Sequence, residues 1–413
     1  MANEMITEIT LGITVFTGLI MALAIIVLSA RALLWGNLRV RLSINGERII
    51  ESLMGGKLLS ALEHGGIHLP TSCGGVGTCG LCRVIIKNSA HAGHALPVER
   101  GVLGAKDVAN GYRLACQVVV RGDMEITVPE GVLGAENWVC RVLETRTLSP
   151  LIKEIILSLP AGITRNLPAG GYVMVEAPSY ALAFSDIEIK PEHEATWKRL
   201  GLRNLKIENK EKQSRAYSLA NRPSETDRLV LNIRLALAPA INPDANPGAV
   251  SSYLFGLKPG DNVTVSGPFG NFFVNETDSE IIFIGGGVGM APLCAHVHDQ
   301  LERMQTKRTI SYWYGARSLA DLYYANKMER LEKEHENFSW HVALSDPAKQ
   351  DGWDGDVGFI HEIIYNKYLK AHPNPQNCEY YLCGPPLMIK AVQAMLGKLG
   401  IPKENIFYDD FGV

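Results

Sequence analysis

Across its 413 residues the chain shows no internal repeat, no low-complexity segment and no surplus of basic residues, its formal net charge being −3. Without a basic surplus nothing calls for nucleic acid as a partner. Cysteine is modest at eight residues, which suits a reducing, cytoplasm-facing environment rather than a disulfide scaffold. Neither two separated C-x2-C pairs nor C-x2-C followed by H-x3-5-H occurs, so the cysteines do not read as a zinc site. No Lys or Arg precedes the one long apolar run, whose upstream flank carries Glu4 and Glu8. That absence argues against a cleaved signal peptide, which needs a basic leader, a shorter apolar core and an A-x-A-like exit.

The apolar run itself covers 9–30, 22 residues without a charge between Glu8 and Arg31. As a helix it would extend roughly 33 Å, enough for a hydrocarbon core of about 30 Å. Arg31, Arg39 and Arg41 follow it, so the positive-inside rule places the rest of the chain in the cytoplasm, with residues 1–8 outside. The competing reading is a buried core helix.

Four cysteines form the most specific pattern. Cys73, Cys79 and Cys82 stand in C-G-G-V-G-T-C-G-L-C, and Cys116 lies 34 positions further on in R-L-A-C-Q. A tight loop that supplies three thiolates, with a fourth from a neighbouring strand, is the ligand set of a [2Fe-2S] cluster. Gly74, Gly75, Gly77 and Gly80 let that loop bend sharply and bring N–H groups to the sulfurs. The C-x5-C-x2-C spacing is one residue longer in its first gap than the plant-type pattern. Cys140, Cys294, Cys378 and Cys383 remain outside the cluster.

Around the cysteines, strands are expected over 38–44 and 48–52 with a turn at Gly46 and Glu47, a helix over 58–64 and a strand over 83–87. This is the order of a β-grasp ferredoxin, ending near Val128. Residues 131–136 read as a linker. Short strands with frequent Gly and Pro then follow at 139–143, 153–157, 172–175, 215–219, 229–234 and 262–266, which suggests an antiparallel barrel. Residues 185–213, charged and weakly patterned around Trp197, read as an insertion on it. From Glu280 onward strands at 281–284, 309–314, 339–343 and 379–383 alternate with helices, the pattern of a doubly wound parallel sheet.

Three motifs follow in order: Arg215-Ala216-Tyr217-Ser218, then Pro247-Gly248-Ala249-Val250-Ser251-Ser252 opening a helix, then Gly267-Pro268-Phe269-Gly270. Alternation sends Arg215 and Tyr217 to one face of their strand and Ser218 to the other, and the helix opening favours an anion. Together they resemble the ferredoxin-NADP reductase superfamily. The resemblance implies that Arg215 pairs with the FAD pyrophosphate, Tyr217 stacks on the isoalloxazine and Ser218 bonds near its reactive nitrogen. It also implies that Gly248, Val250, Ser251 and Ser252 form the second pyrophosphate contact. Strand 281–284 runs into Gly285-Gly286-Gly287-Val288-Gly289-Met290-Ala291-Pro292, where Pro292 replaces the last glycine of the Rossmann fingerprint. By the same resemblance Gly286, Gly287, Gly289 and Pro292 hold a nicotinamide cofactor that leaves after hydride transfer. Cys383 and Gly384 of C-G-P-P then stand beside the nicotinamide, Cys383 positioning it, and Phe411 of the D-D-F-G tail shields the flavin. Arg317, in Y-G-A-R-S, lies on the adenosine side; NADH is preferred, although an arginine there could meet a 2′-phosphate.

The expected architecture is multidomain, α+β and α/β. A transmembrane helix (9–30) is followed by a β-grasp [2Fe-2S] ferredoxin domain (36–130), an antiparallel β-barrel FAD domain (137–275) and a doubly wound NADH domain (276–413). The anchor, the longer first cysteine gap, the insertion, G-G-G-x-G-M-A-P and the D-D-F-G tail resemble the F subunits of the sodium-translocating NADH:quinone oxidoreductases. That resemblance implies an NADH-oxidising, FAD- and [2Fe-2S]-dependent input subunit on the cytoplasmic face of a bacterial inner membrane. It also implies five partner subunits and a quinone reduced elsewhere. Cys294 departs from the arginine expected there in many relatives, a change that bears on cofactor-phosphate contacts. Two rivals stand beside this reading, a membrane-anchored NADH reductase serving an oxygenase or desaturase, and a non-catalytic scaffold without flavin.

Overall fold

The computed structural model describes residues 2–35, 38–71, 73, 75–87, 89–129, 132, 135–162, 167–238, 245–270 and 272–409; side chains at 2–10, 28, 30–35, 89 and 350 are not among them. Gly74, Phe411 and half of the expected 131–136 linker (131, 133 and 134) lie outside the described residues. The chain divides into two compact units, the first comprising 1–69 and 75–133, the second 70–74 and 134–413.

The first unit opens with the helix Ala2–Trp35. Its described side chains, at 11–27 and 29, are exposed, and the expected span of 9–30 runs past them at both ends. Among the described residues no helix is long and apolar enough to cross a membrane. Beyond it a five-stranded sheet is ordered Arg48–Leu53, Arg39–Ile44, Met124–Thr127, Arg83–Ile86, Tyr112–Leu114. In Arg39–Ile44 every second residue, Val40, Leu42 and Ile44, points inward, the period of a sheet with one buried face. The helix Leu58–His64 closes that face with Leu58 and Leu62, both fully buried.

In the second unit six antiparallel strands run in the order Gln213–Ser218, Gly171–Ala177, Asn262–Gly270, Glu136–Ser149, Ile152–Ser158, Arg228–Arg234. A bridge between Leu219 and Leu231 joins the two ends, closing the barrel. The insertion is folded: Tyr180–Ala183 pairs with Lys206–Asn209, and Trp197, fully buried, packs against Phe184 and Phe255 while its indole N–H donates to the Pro150 carbonyl at 2.7 Å.

The rest of that unit is a parallel sheet ordered Asp356–Val357, Phe338–Leu344, Ile310–Ala316, Ile281–Gly286, Glu379–Cys383, Ile406–Asp409. Ile281–Gly286 is buried along its whole length, as a central parallel strand covered on both faces must be. From this strand the chain builds outward on one side and then returns to build on the other. The strand order therefore reverses at the carboxyl ends of Ile281–Gly286 and Glu379–Cys383, where doubly wound sheets bind ligands.

Candidate functional site

In the first unit Cys82 is buried and crowded by Cys116 and Cys79. Its hydrogen bond with Cys116, then burial, pushes its thiol far above the usual range. Thiols packed this closely ionise only beside a cation, the chemistry of a metal-binding donor set. The loop reaches this arrangement with Gly75, Gly77 and Gly80 at φ 86°, 92° and 72°, conformations that side chains rarely adopt. Gln117 bonds both the Cys116 sulfur, at 3.3 Å, and the Gly75 carbonyl, at 2.9 Å. Cys73 is half-buried and falls in the 70–74 segment counted with the second unit.

The backbone carrying Cys116 is secured by a pair that sequence reasoning missed. Arg113 grips both oxygens of fully buried Glu99 at 2.9 Å, and the Leu96 and Leu114 N–H groups donate to the same carboxylate at 2.9 and 3.0 Å. Burial alone would raise the Glu99 pKa, but Arg113 and the two N–H groups hold it below the usual range.

In the second unit Arg215 and Tyr217 share one face of the strand Gln213–Ser218, opposite Val175 and Val173. The Arg215 guanidinium donates to the Ser214 carbonyl at 2.8 Å; among the described residues it forms no salt bridge with a carboxylate, which suits an anionic pyrophosphate. Burial raises the Tyr217 phenol, with Arg215 opposing, so the ring is neutral and apolar enough to receive a flat heterocycle. Gly248 caps the helix Ala249–Gly256, which carries Val250, Ser251 and Ser252 in its first turn. A β-carbon at Gly248 would come within 2.8 Å of both Ala236 Cβ and Ser251 Oγ. The Ser251 hydroxyl donates to the Gly248 carbonyl at 3.0 Å and accepts from the Ala236 N–H at 3.1 Å.

Gly286 ends the central strand and Gly287 and Gly289 follow it, with Pro292 buried inside the helix Met290–His298. Gly289 is pressed so closely on the neighbouring strand that a β-carbon there would lie 2.0 Å from the Cys383 carbonyl oxygen; one at Gly384 would meet Gly286 O at 2.9 Å. Tyr314 and Tyr323 both donate to the Gly287 carbonyl, at 2.9 and 3.1 Å, and fix the turn. Cys383 is fully buried at the end of Glu379–Cys383. Arg317 is exposed and both its arms reach Asp346 Oδ2, at 3.1 and 3.3 Å.

Barrel and sheet meet through residues the sequence did not single out. The Ser218 hydroxyl donates to Asp409 Oδ2 at 3.2 Å, and Asp409 is the strand neighbour of Cys383. Ser218 and Cys383 are thereby brought to one place. Tyr324, on the sheet side, donates to the buried Glu154 and accompanies Asn232 at 3.2 Å, both on the barrel, while Arg146 holds Glu154 at 2.5 Å. Arg222 of the barrel side grips Glu302 at 2.6 Å, and Glu302 also meets His298 at 3.0 Å. Only Asp409 had a signal, its place in the D-D-F-G tail.

Three family models match in chain order: the 2Fe-2S iron-sulfur cluster binding domain over 42–121, the oxidoreductase FAD-binding domain over 201–274 and the oxidoreductase NAD-binding domain over 283–394. The chain is 45% identical over 405 residues to the F subunit of the Na(+)-translocating NADH-quinone reductase of Neisseria meningitidis serogroup C, covering 98% of this chain and 100% of that one. It is 46% identical to the protein of the same name in Marinomonas sp., over 98% and 99% of the two chains. Among solved structures it is similar to the Amycolatopsis cytochrome P450 reductase GcoB, with TM-score 0.64 and 25% identity over 90% of this chain and 98% of that one.

Proposed function

The chain belongs to the family of the F subunits of Na(+)-translocating NADH-quinone reductases, and from that premise we propose how its parts divide the work. It is the NADH-oxidising electron-input subunit of a multi-subunit sodium-translocating NADH:quinone oxidoreductase, with FAD and a [2Fe-2S] cluster as cofactors. When bound, FAD takes a hydride, two electrons together, from NADH and gives them up singly to a cluster that accepts one at a time.

The protein's own contribution is binding and orientation. Arg215 and the start of the helix Ala249–Gly256 hold the pyrophosphate, Tyr217 carries the isoalloxazine, and Ser218 with Asp409 fixes the edge where hydride arrives. The bare backbones of Gly286, Gly289 and Gly384 let the glycine turn pack directly on the strand end that carries Cys383, beside which the nicotinamide ring lies, and Gly287 and Pro292 complete the turn. Arg317 lies on the adenosine side, and Phe411 is the aromatic that yields to the nicotinamide. Cys73, Cys79, Cys82 and Cys116 hold the iron. The observation carrying this reading is the Ser218–Asp409 hydrogen bond beside Cys383, because it joins the flavin strand to the nicotinamide edge within one unit.

We further infer that the helix Ala2–Trp35, about 51 Å long at 1.5 Å per residue, is a single-pass anchor in the bacterial inner membrane. Arg31, Arg39 and Arg41 keep the catalytic domains on the cytoplasmic side, among five partner subunits that carry electrons on to quinone. We read the domains as 36–130, 137–275 and 276–413. Anaerobic NADH titration of the whole complex and of a chain truncated through Trp35 tests this reading. The truncated chain should keep flavin and cluster reduction by NADH and lose quinone reduction. Retained quinone reduction refutes the anchor's role, and loss of flavin reduction with bound FAD refutes the site.

A further inference from the structure

At the amino ends of the central parallel strands, opposite the glycine turn, three side chains of different chemistry converge. Glu280 immediately precedes the strand Ile281–Gly286, and Cys378 immediately precedes Glu379–Cys383. These strands are neighbours in a register that pairs Ile281 with Glu379, so the fold sets the two side by side. His372 comes from the turn between the helix Ile360–Lys367 and the second strand. One ligand atom from each lies within 4.8 Å of the other two. His372 Nε2 is 3.1 Å from Glu280 Oε2 and 4.0 Å from Cys378 Sγ. Around a tetrahedral zinc, ordinary bond lengths place N and O ligands about 3.4 Å apart and N and S ligands about 3.6 Å apart. Small side-chain movements therefore convert the observed trio into a ligand set.

The surroundings fit a cation. The Glu280 side chain is 17% exposed, and among the described residues no Lys or Arg pairs with it, His372 being its one basic neighbour. A largely enclosed carboxylate without a fixed cation, facing a thiol and an imidazole, lacks the positive charge that such groups normally keep. The Tyr368 hydroxyl donates to Glu280 Oε1, leaving Oε2 for a metal and supplying the outer partner that orients a ligating carboxylate. Ligation through His372 Nε2 moves the ring proton to Nδ1, which now accepts the Asn374 N–H at 3.2 Å. That exchange gives up the Asn374 hydrogen bond and the Nε2–H bond to Glu280 Oε2, the second replaced by metal bonds from both atoms, a small loss beside a zinc–thiolate bond.

We propose that Glu280, His372 and Cys378 form a divalent-cation site of the zinc class that ties the two strands to the turn carrying His372, with the fourth position left to water. Five residues of strand, about 17 Å, separate Cys378 from Cys383, so the site is distinct from the nicotinamide edge and acts on the fold rather than on hydride transfer.

The test uses the full chain with FAD and iron in place, dialysed against buffered zinc, with zinc, iron and flavin measured together. Wild type should take up one zinc per chain, and zinc should raise its unfolding temperature. Zinc affinity should fall roughly 10–100-fold in Y368F, which lacks only the outer partner, and further in E280Q, H372A and C378S, with iron and flavin content unchanged. Zinc-edge X-ray absorption of the wild type should show one sulfur ligand at about 2.3 Å, which C378S loses. No zinc uptake by the wild type, uptake unchanged in H372A and E280Q, or a sulfur ligand that persists in C378S would each overturn the proposal. Should C378S fail to fold, E280Q and Y368F, which keep the shape of their side chains, still decide it.

Discussion

Glu99 and Arg113 determine how firmly Cys116 is held, since the buried carboxylate also accepts the N–H of Leu114, two residues before the cysteine. Removing one partner of such a pair leaves the other buried and uncompensated, at a cost of about 3–5 kcal/mol. E99A should therefore shed iron from the chain while flavin content holds, a result read directly by iron analysis. Because the folded Glu99 pKa lies below its unfolded value of 4.5, its stabilisation is complete above that pH and fades as the pH falls through the folded value. Cluster loss in acid should begin below pH 4.5 in the wild type, whereas E99Q, which lacks the titrating carboxylate, should hold its cluster less firmly already at neutral pH and lose that onset. Arg317 illustrates the opposite kind of residue. Its type pointed to a cofactor phosphate, but its Asp346 partner lies 29 residues away in sequence and neutralises it. D346N should release the arginine and raise the NADPH:NADH ratio of kcat/KM by about two- to fivefold, the scale of an exposed ion pair; an unchanged ratio would place Arg317 away from the 2′ position.

At the level of elements, the strand Ile281–Gly286 and its glycine turn are the most demanding piece of the fold. In G289A the new methyl group meets the Cys383 carbonyl and must push the two backbones apart. Overpacking of this kind costs about 1–3 kcal/mol, or roughly 5- to 150-fold in kcat/KM for NADH, with FAD still bound; steady-state kinetics and flavin spectra check both. The helix Met290–His298 carries His296, which is fully buried and stacked on Phe283. Burial pulls its pKa from 6.5 down to about 4. Below pH 6.5 the unfolded chain takes up a proton that the fold refuses, so this unit should lose about 3 kcal/mol as the pH falls to about 4. Denaturant melts across that range should slope downward in the wild type and flatten in H296L.

Elements differ in how far the sequence revealed them. The six barrel strands and four of the six sheet strands were legible because buried and exposed residues alternate, or because apolar runs stop at glycine; the short edge strands Asp356–Val357 and Ile406–Asp409 were not. The helix Pro97–Ala109 was not, since Gly101 and Gly104 interrupt its pattern and Gly104 sits at φ 80°. The insertion read only as charged and weakly patterned because its charges outnumber its apolar residues, yet the fold uses Trp197 as a core residue and lays Arg203 over its ring at 4.8 Å. Of the site, the glycine turn and R-x-Y-S were visible as local motifs. Asp409 stood in the D-D-F-G tail, but its bond to Ser218 spans 191 residues and no local pattern carries such a contact.

The whole molecule couples a two-electron donor to a one-electron exit, and its family places that exit within a sodium-translocating complex. GcoB shares the arrangement of the chain along most of its length, while the full-length match at 45% identity assigns the family. Electrons flow in the order nicotinamide, flavin, cluster. Anaerobic stopped-flow mixing of C79A with NADH tests it most directly, with flavin and iron content measured on the same sample. In C79A the cluster should be gone, flavin should be reduced by NADH at the wild-type rate, and ferricyanide reduction should continue while quinone reduction in the complex stops. Loss of flavin reduction in C79A with FAD still bound and the fold intact would contradict this order.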